Sequence, residues 1–133
     1  MPEDEASAYP KLPLESVVVR AGIMDLADLE DNARNHYDRV SAFEEREEWA
    51  LSVNSIPDMD ATEIAKRTRK LNRKMCVSTV AAIEALDCVK EVRSDWREDG
   101  HSNIVFHAEP SWDDLSEVRR AFSDPVPNPG RPV

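Results

Sequence analysis

Three kinds of side chain in this sequence have chemistry to offer. The stretch "KRTRKLNRKM", residues 66–75, carries Lys66, Arg67, Arg69, Lys70, Arg73 and Lys74, six of the chain's 17 basic side chains. Cations at that density suit phosphate oxygens or an acidic protein surface, and each one that neutralises a nucleic-acid phosphate releases counterions. His36, His101 and His107 supply imidazoles, the group best suited to taking and returning a proton. Carboxylates are abundant, with the pairs Asp31/Asp38, Glu44/Glu45, Glu47/Glu48 and Asp113/Asp114. No partner set that would shift a pKa accompanies them, so solvated helix faces and caps are the expectation.

Other chemistries lack their spacing. Zinc sites use short-spaced ligand pairs such as C-x₂-C, H-x₃-H or HExxH, and none occurs, so no metal site is expected. The three glycines, Gly22, Gly100 and Gly130, form no GxGxxG, GxxxxGK[ST] or GxSxG, which argues against a nucleotide cradle or a nucleophile elbow. No cofactor is expected. Cys76 and Cys88 carry no CxxC spacing and are expected as buried, reduced thiols.

The elements that must position these residues follow from periodicity and capping. "SVVVRA" (16–21) is β-branched and ends at Gly22, a first strand and turn. Asp25 caps a helix whose Leu26, Leu29, Ala33, Tyr37 and Val40 share one side, with His36 beside that stripe. After the acidic run "FEEREEW", "WALSVN" alternates as a half-buried strand. Pro57 breaks the chain, and Asp60 with Glu63 starts a second helix carrying Ile64, Ala65, Thr68 and Leu71. On that helix the six basic residues occupy the outer face. Ser78 is expected to cap a short third helix with Val80, Ile83 and Leu86.

"CVKEVR" (88–93) and "NIVFH" (103–107), joined by "SDWREDGHS", read as an antiparallel hairpin ending at His107. Ser111 with Asp114 starts a last helix whose inner face is Trp112, Leu115, Val118 and Phe122. The order βαβααββα makes an α+β fold, a small, mostly antiparallel sheet packed against helices. Pro2, Pro10 and Pro13, and Pro125, Pro127, Pro129 and Pro132, mark residues 1–14 and 124–133 as Pro-containing tails around one domain at 15–123.

The whole chain has 133 residues and a net charge of −10. One domain of that size can bury about two-thirds of its unfolded surface and needs no staple. No apolar run approaches a membrane span and no basic start leads into an apolar segment, so a cytoplasmic protein without a membrane partner is expected. Removing the six charges of residues 66–74 from −10 leaves −16 elsewhere, which works against binding a long duplex. No aromatic residue interleaves the basic run to stack single-stranded bases.

The segment "STVAAIEALDCVKEVRSDWREDGHSNIVFH", residues 78–107, resembles the HicA family of messenger-RNA interferase toxins in its helix ending in leucine, strand, Gly-His turn and second apolar strand. The resemblance implies a small double-stranded-RNA-binding-like fold, with the turn histidine, here His101, as the catalytic residue and residues 66–74 available to hold RNA. In the family, Gly-aromatic follows the helix and the turn runs Gly-Ser-His. Here Asp87 and Cys88 stand after the helix and the turn runs Gly100, His101, Ser102.

The first expectation remains an acidic interaction protein, accessory, antitoxin-like or immunity-like, rather than an enzyme. It binds through the basic helix face or its acidic surround, with Trp96 as an added anchor. Its expected partner is another protein. The alternatives are the HicA-like ribonuclease using His101 and a non-catalytic module binding RNA or DNA through residues 66–74. Self-association into a homo-oligomer stays open.

Overall fold

The computed structural model describes residues 11–95 and 97–132. The chain runs β1 (Val17–Ala21), α1 (Leu26–Glu44), β2 (Ala50–Asn54), α2 (Ala61–Thr68), β3 (Lys74–Thr79), α3 (Val80–Glu84), β4 (Val89–Ser94), β5 (His101–Phe106), α4 (Trp112–Arg120) and β6 (Val126–Pro127). The six strands form one antiparallel sheet in the order β4-β5-β2-β1-β3-β6. The class is α+β, with four helices packed on the sheet. Among the described residues no helix is long and apolar enough to cross a membrane.

The helix starts follow local capping chemistry. The Asp25 carboxylate accepts from Ala27 N–H at 3.1 Å. Asp60 with Glu63, and Ser111 with Asp114, form reciprocal capping boxes that satisfy two orphan N–H groups each.

Strand alternation then sorts the core. Val18 and Cys76 join a large cluster with Leu51, Val53, Ile104 and Val92, to which the helices add Leu29, Ala33, Ile83, Leu115 and Val118. Their strand neighbours Val19 and Met75 join a smaller cluster with Ile64 and Ala65 of α2. Adjacent strand residues point to opposite faces, so α2 covers the reverse side of β1 and β3.

Two strands join the order read from the sequence: β3, between α2 and α3, and the terminal β6. The expected helix over residues 66–74 therefore needs correcting. α2 ends at Thr68, Arg69 takes a left-handed backbone at φ 50°, and Leu71 is 76% exposed. Extending the helix would leave β1 without its five-residue pairing to β3 and could not bury Met75 and Cys76 on opposite faces. The basic residues lie instead on the end of α2, a connecting loop and the start of β3, all exposed.

Ser78 lies inside β3 and donates to Ala121 O at 2.7 Å, while Thr79 caps α3. Trp112, expected on the inner face, is half-exposed at the first position of α4. At the C-terminus, Val126–Pro127 pairs with Lys74 and Met75, and Asn128 N–H donates to Arg73 O at 2.9 Å. Lys11 bridges Arg93 and Leu12 is buried, while the rest of the expected N-terminal tail, residues 1–10, lies outside the described residues.

β1 and β2 pair at one position, Val19 with Asn54. Beyond it a side chain replaces the ladder: Asn32 Oδ1 accepts from Ser52 N–H at 3.0 Å. The Arg20 guanidinium donates to Ser52 O at 2.6 Å and to Asn32 Oδ1 at 2.9 Å. Backbone groups that would otherwise be orphaned at the opening are thus satisfied.

Candidate functional site

The register sets Arg93, Asn103 and Ser52 side by side across β4, β5 and β2. This polar row alternates with the buried row Val92, Ile104 and Leu51, so its side chains stand on the opposite face. Over it opens a cleft of about 410 Å³, closed by His36, Arg39 and Val40 of α1, by Glu44, Arg46 and Glu48, and by Asp95, Arg97 and His101. Four guanidinium groups thus face three carboxylates, a positive balance inside a chain of net charge −10.

Glu48 organises one wall. One carboxylate oxygen meets His36 Nε2 at 2.9 Å and Arg93 Nη2 at 2.7 Å, and the other accepts from Arg46 Nη1 at 2.8 Å. Burial by itself raises the pKa of this carboxyl. The hydrogen bonds from His36, Arg93 and Arg46 outweigh burial and hold it well below the usual carboxylate range. His36 is buried, and its other nitrogen, Nδ1, lies 3.3 Å from Arg39 Nη2. Both of its ring nitrogens are occupied, which makes His36 a positioning group.

His101 differs. It opens β5 directly after Gly100, whose φ of +77° suits glycine and whose missing Cβ would stand 2.4 Å from Ile56 Cγ1. Ser55 N–H donates to Gly100 O at 2.9 Å and Asp99 Oδ1 accepts from His101 N–H at 3.1 Å, fixing the turn. The His101 Nδ1 nitrogen is hydrogen-bonded to Asp95 Oδ2. Among the described residues Nε2 has no hydrogen-bond partner, and the side chain is 21% exposed. A carboxylate on one nitrogen and an open second nitrogen is the arrangement of a proton-transfer imidazole.

His101 and Ser52 also line an adjoining cleft of about 200 Å³ with Arg20, Asn54, Lys70 and Asn72. The structure therefore brings Lys70 beside His101. Lys66, Arg67, Arg69, Arg73 and Lys74 line neither cleft, and Trp96 lies outside the described residues. At the row's centre, Asn103 Oδ1 is buried without a hydrogen-bond partner among the described residues. Such an orphan costs about 1–3 kcal/mol unless a ligand donor meets it.

Sequence reasoning missed Asp95, Arg93 and Asn103, and it placed Glu48 on a solvated surface although it is buried. Arg46 is two positions from Glu48, but the other two partners, His36 and Arg93, stand 12 and 45 positions away, beyond any local pattern. The sequence signal available was parity: Glu48 keeps the two-residue step of Ala50 and Ser52 on the entering strand.

One group among the described residues has the donors of a metal site. The Cys88 thiol and the Asp114 and Glu117 carboxylates lie within 4.8 Å of one another. Burial, followed by the two carboxylates, pushes the thiol up to about 11, so it is protonated at neutral pH. Asp114 is also engaged as a capping acceptor for Ser111 N–H at 2.9 Å.

No family model, curated protein or solved structure matches the chain.

Proposed function

We propose that the protein binds and cleaves single-stranded RNA in the two joined clefts, with His101 moving the proton. The observation that carries this reading is the position of His101, paired to Asp95 on one nitrogen and open on the other, between an arginine-lined cleft and Lys70. The resemblance of residues 78–107 to HicA toxins singles out the same imidazole.

In the reaction, His101 Nε2 takes the proton of a ribose 2′-hydroxyl and the 2′ oxygen bonds to phosphorus. The bond from phosphorus to the 5′ oxygen breaks, and that oxygen takes a proton from water. The products are a 2′,3′-cyclic phosphate and a 5′-hydroxyl end. Asp95 holds the tautomer that leaves Nε2 free to accept and stabilises the imidazolium. Arg97, whose side chain is 68% exposed, and Lys70 supply mobile cations for the phosphates. A nucleobase N–H offers the donor that Asn103 Oδ1 lacks.

The test is cleavage of end-labelled single-stranded RNA with analysis of the product ends. His101→Ala is expected to slow cleavage about 10²- to 10⁴-fold, the usual contribution of a positioned acid–base group. Wild-type protein that cuts no RNA between pH 5 and 9 overturns the reading.

An exposed apolar side chain favours a second reading. Leu71, 76% exposed within the basic run, suits a macromolecular interaction protein that docks a partner over residues 66–74. Affinity capture with the wild type and an Arg69→Glu, Lys70→Glu variant separates the two. A protein partner lost in the variant supports docking, and equal recovery from both removes it.

A further inference from the structure

The acidic run "FEEREEW" lends Glu44, Arg46 and Glu48 to the arginine-lined cleft, and it also borders a second cavity of opposite character. Glu48 forms a common wall between the arginine-lined cleft and another cleft of about 430 Å³. In the latter, Tyr37 of α1 stacks on Trp49, with ring centroids 4.2 Å apart and planes inclined at 20°. Phe106 forms a buried apolar part of the lining, and Glu47, Glu109 and His107 complete the rim. Among the described residues no lysine or arginine lines it.

We propose that this aromatic–acidic cleft is a binding site for an organic cation, the guanidinium of an arginine side chain on a partner peptide. The class follows from the lining. Aromatic faces attract cations through the ring quadrupole, indole most strongly. A planar guanidinium can lie against the stacked rings while its N–H fork reaches carboxylates in its own plane, a combination that a lysine ammonium does not offer.

The carboxylates are open to such a partner. Glu47 accepts one hydrogen bond, from the Tyr37 hydroxyl at 2.8 Å, which leaves its second oxygen free. Glu109 is exposed and has no ion pair among the described residues. The Tyr37 phenol is pushed up from its ordinary value by that hydrogen bond to Glu47, in keeping with a negative local potential. The overall charge of −10 attracts a basic segment, and the lining carboxylates Glu47, Glu48 and Glu109 are what favour it at this face.

The test uses three capped dipeptides, Arg-Arg, Lys-Lys and citrulline-citrulline, titrated into the full-length protein while the Trp49 indole N–H resonance is followed. Citrulline keeps the shape of arginine without its charge. A saturable shift with Arg-Arg, at least tenfold weaker with citrulline and several-fold weaker with Lys-Lys, is expected. Glu47→Gln and Glu109→Gln, both surface changes, should each weaken Arg-Arg binding several-fold, while Arg97→Gln in the other cleft should leave it unchanged. Equal binding of citrulline and arginine, loss in the Arg97→Gln variant alone, or no shift at the Trp49 indole would each overturn the proposal.

Discussion

Glu48→Gln is the sharpest probe of the wall between the two clefts. The substitution keeps the size of the side chain and removes the charge that three donors share: His36 Nε2 at 2.9 Å, Arg93 Nη2 at 2.7 Å and Arg46 Nη1 at 2.8 Å. A glutamine offers one acceptor oxygen and turns its amide N–H₂ toward the remaining donors. Arg46, with a side chain 42% exposed, can swing into water and recover hydration, whereas Arg93 at 17% and His36 at 5% cannot.

Breaking a buried charge pair costs about 3–5 kcal/mol, and the partial exposure of Arg46 puts this case at the low end, about 3 kcal/mol. With an unfolding entropy of about 2.1 cal/mol/K per residue over 133 residues, the melting temperature should fall by about 10 °C. Urea unfolding at pH 7 reads the free energy and a thermal melt reads the shift. Because the folded Glu48 pKa is depressed, its contribution is fully present above the unfolded value of about 4.3 and is lost as pH falls. The gap between wild type and variant should therefore narrow between pH 5 and pH 2. A loss under about 1 kcal/mol at pH 7, or a gap that widens in acid, would refute the argument that this carboxylate holds the wall.

Four further outcomes follow from the same geometry. Asp95→Asn should slow RNA cleavage at least tenfold while the melting temperature changes little, since the side chain is partly exposed; unchanged cleavage would remove Asp95 from the site. Asn103→Ala should leave stability unchanged or slightly raised, because it deletes an orphaned acceptor, yet weaken RNA binding in a filter assay. Lys70→Gln should reduce RNA affinity and its salt dependence more than Arg67→Gln does, because Lys70 alone of the basic run lines a cleft with His101. Gly130→Ala should cost several kcal/mol in urea unfolding, since a Cβ there would stand 1.8 Å from Ala65 O; near-neutral stability would mean that the C-terminal segment does not dock on α2.

What could be read from the sequence was local. The Asp60–Glu63 and Ser111–Asp114 boxes announce two helices within four residues each, and the β4–β5 hairpin follows from two apolar runs around a Gly-containing turn. The basic run shows the limit. Lysine and arginine are good helix formers, so residues 66–74 look like a continuation of α2, but the demand of β1 for a partner decides against it. The site was legible only as a histidine in a turn. Its partner Asp95 is six positions away across the hairpin, and Glu48 gains its role from Arg93 on β4, which lies one strand beyond β2 with β5 between them.

The single main-chain rung between β1 and β2 gives the sheet a mechanical seam. Lys70 and Asn72 belong to the β1-β3 half, while Ser52, Asn54 and His101 belong to the β2-β5 half, so the smaller cleft straddles that seam. On either side of that rung the join is made by side chains rather than by a continuous ladder: Arg20 and Asn32 on Ser52 to one side, and Ser55 Oγ donating to Val17 O at 2.7 Å to the other. Asn32→Ala removes the acceptor that Arg20 and the Ser52 N–H share, and so loosens the join between the two halves without changing any residue that lines the smaller cleft.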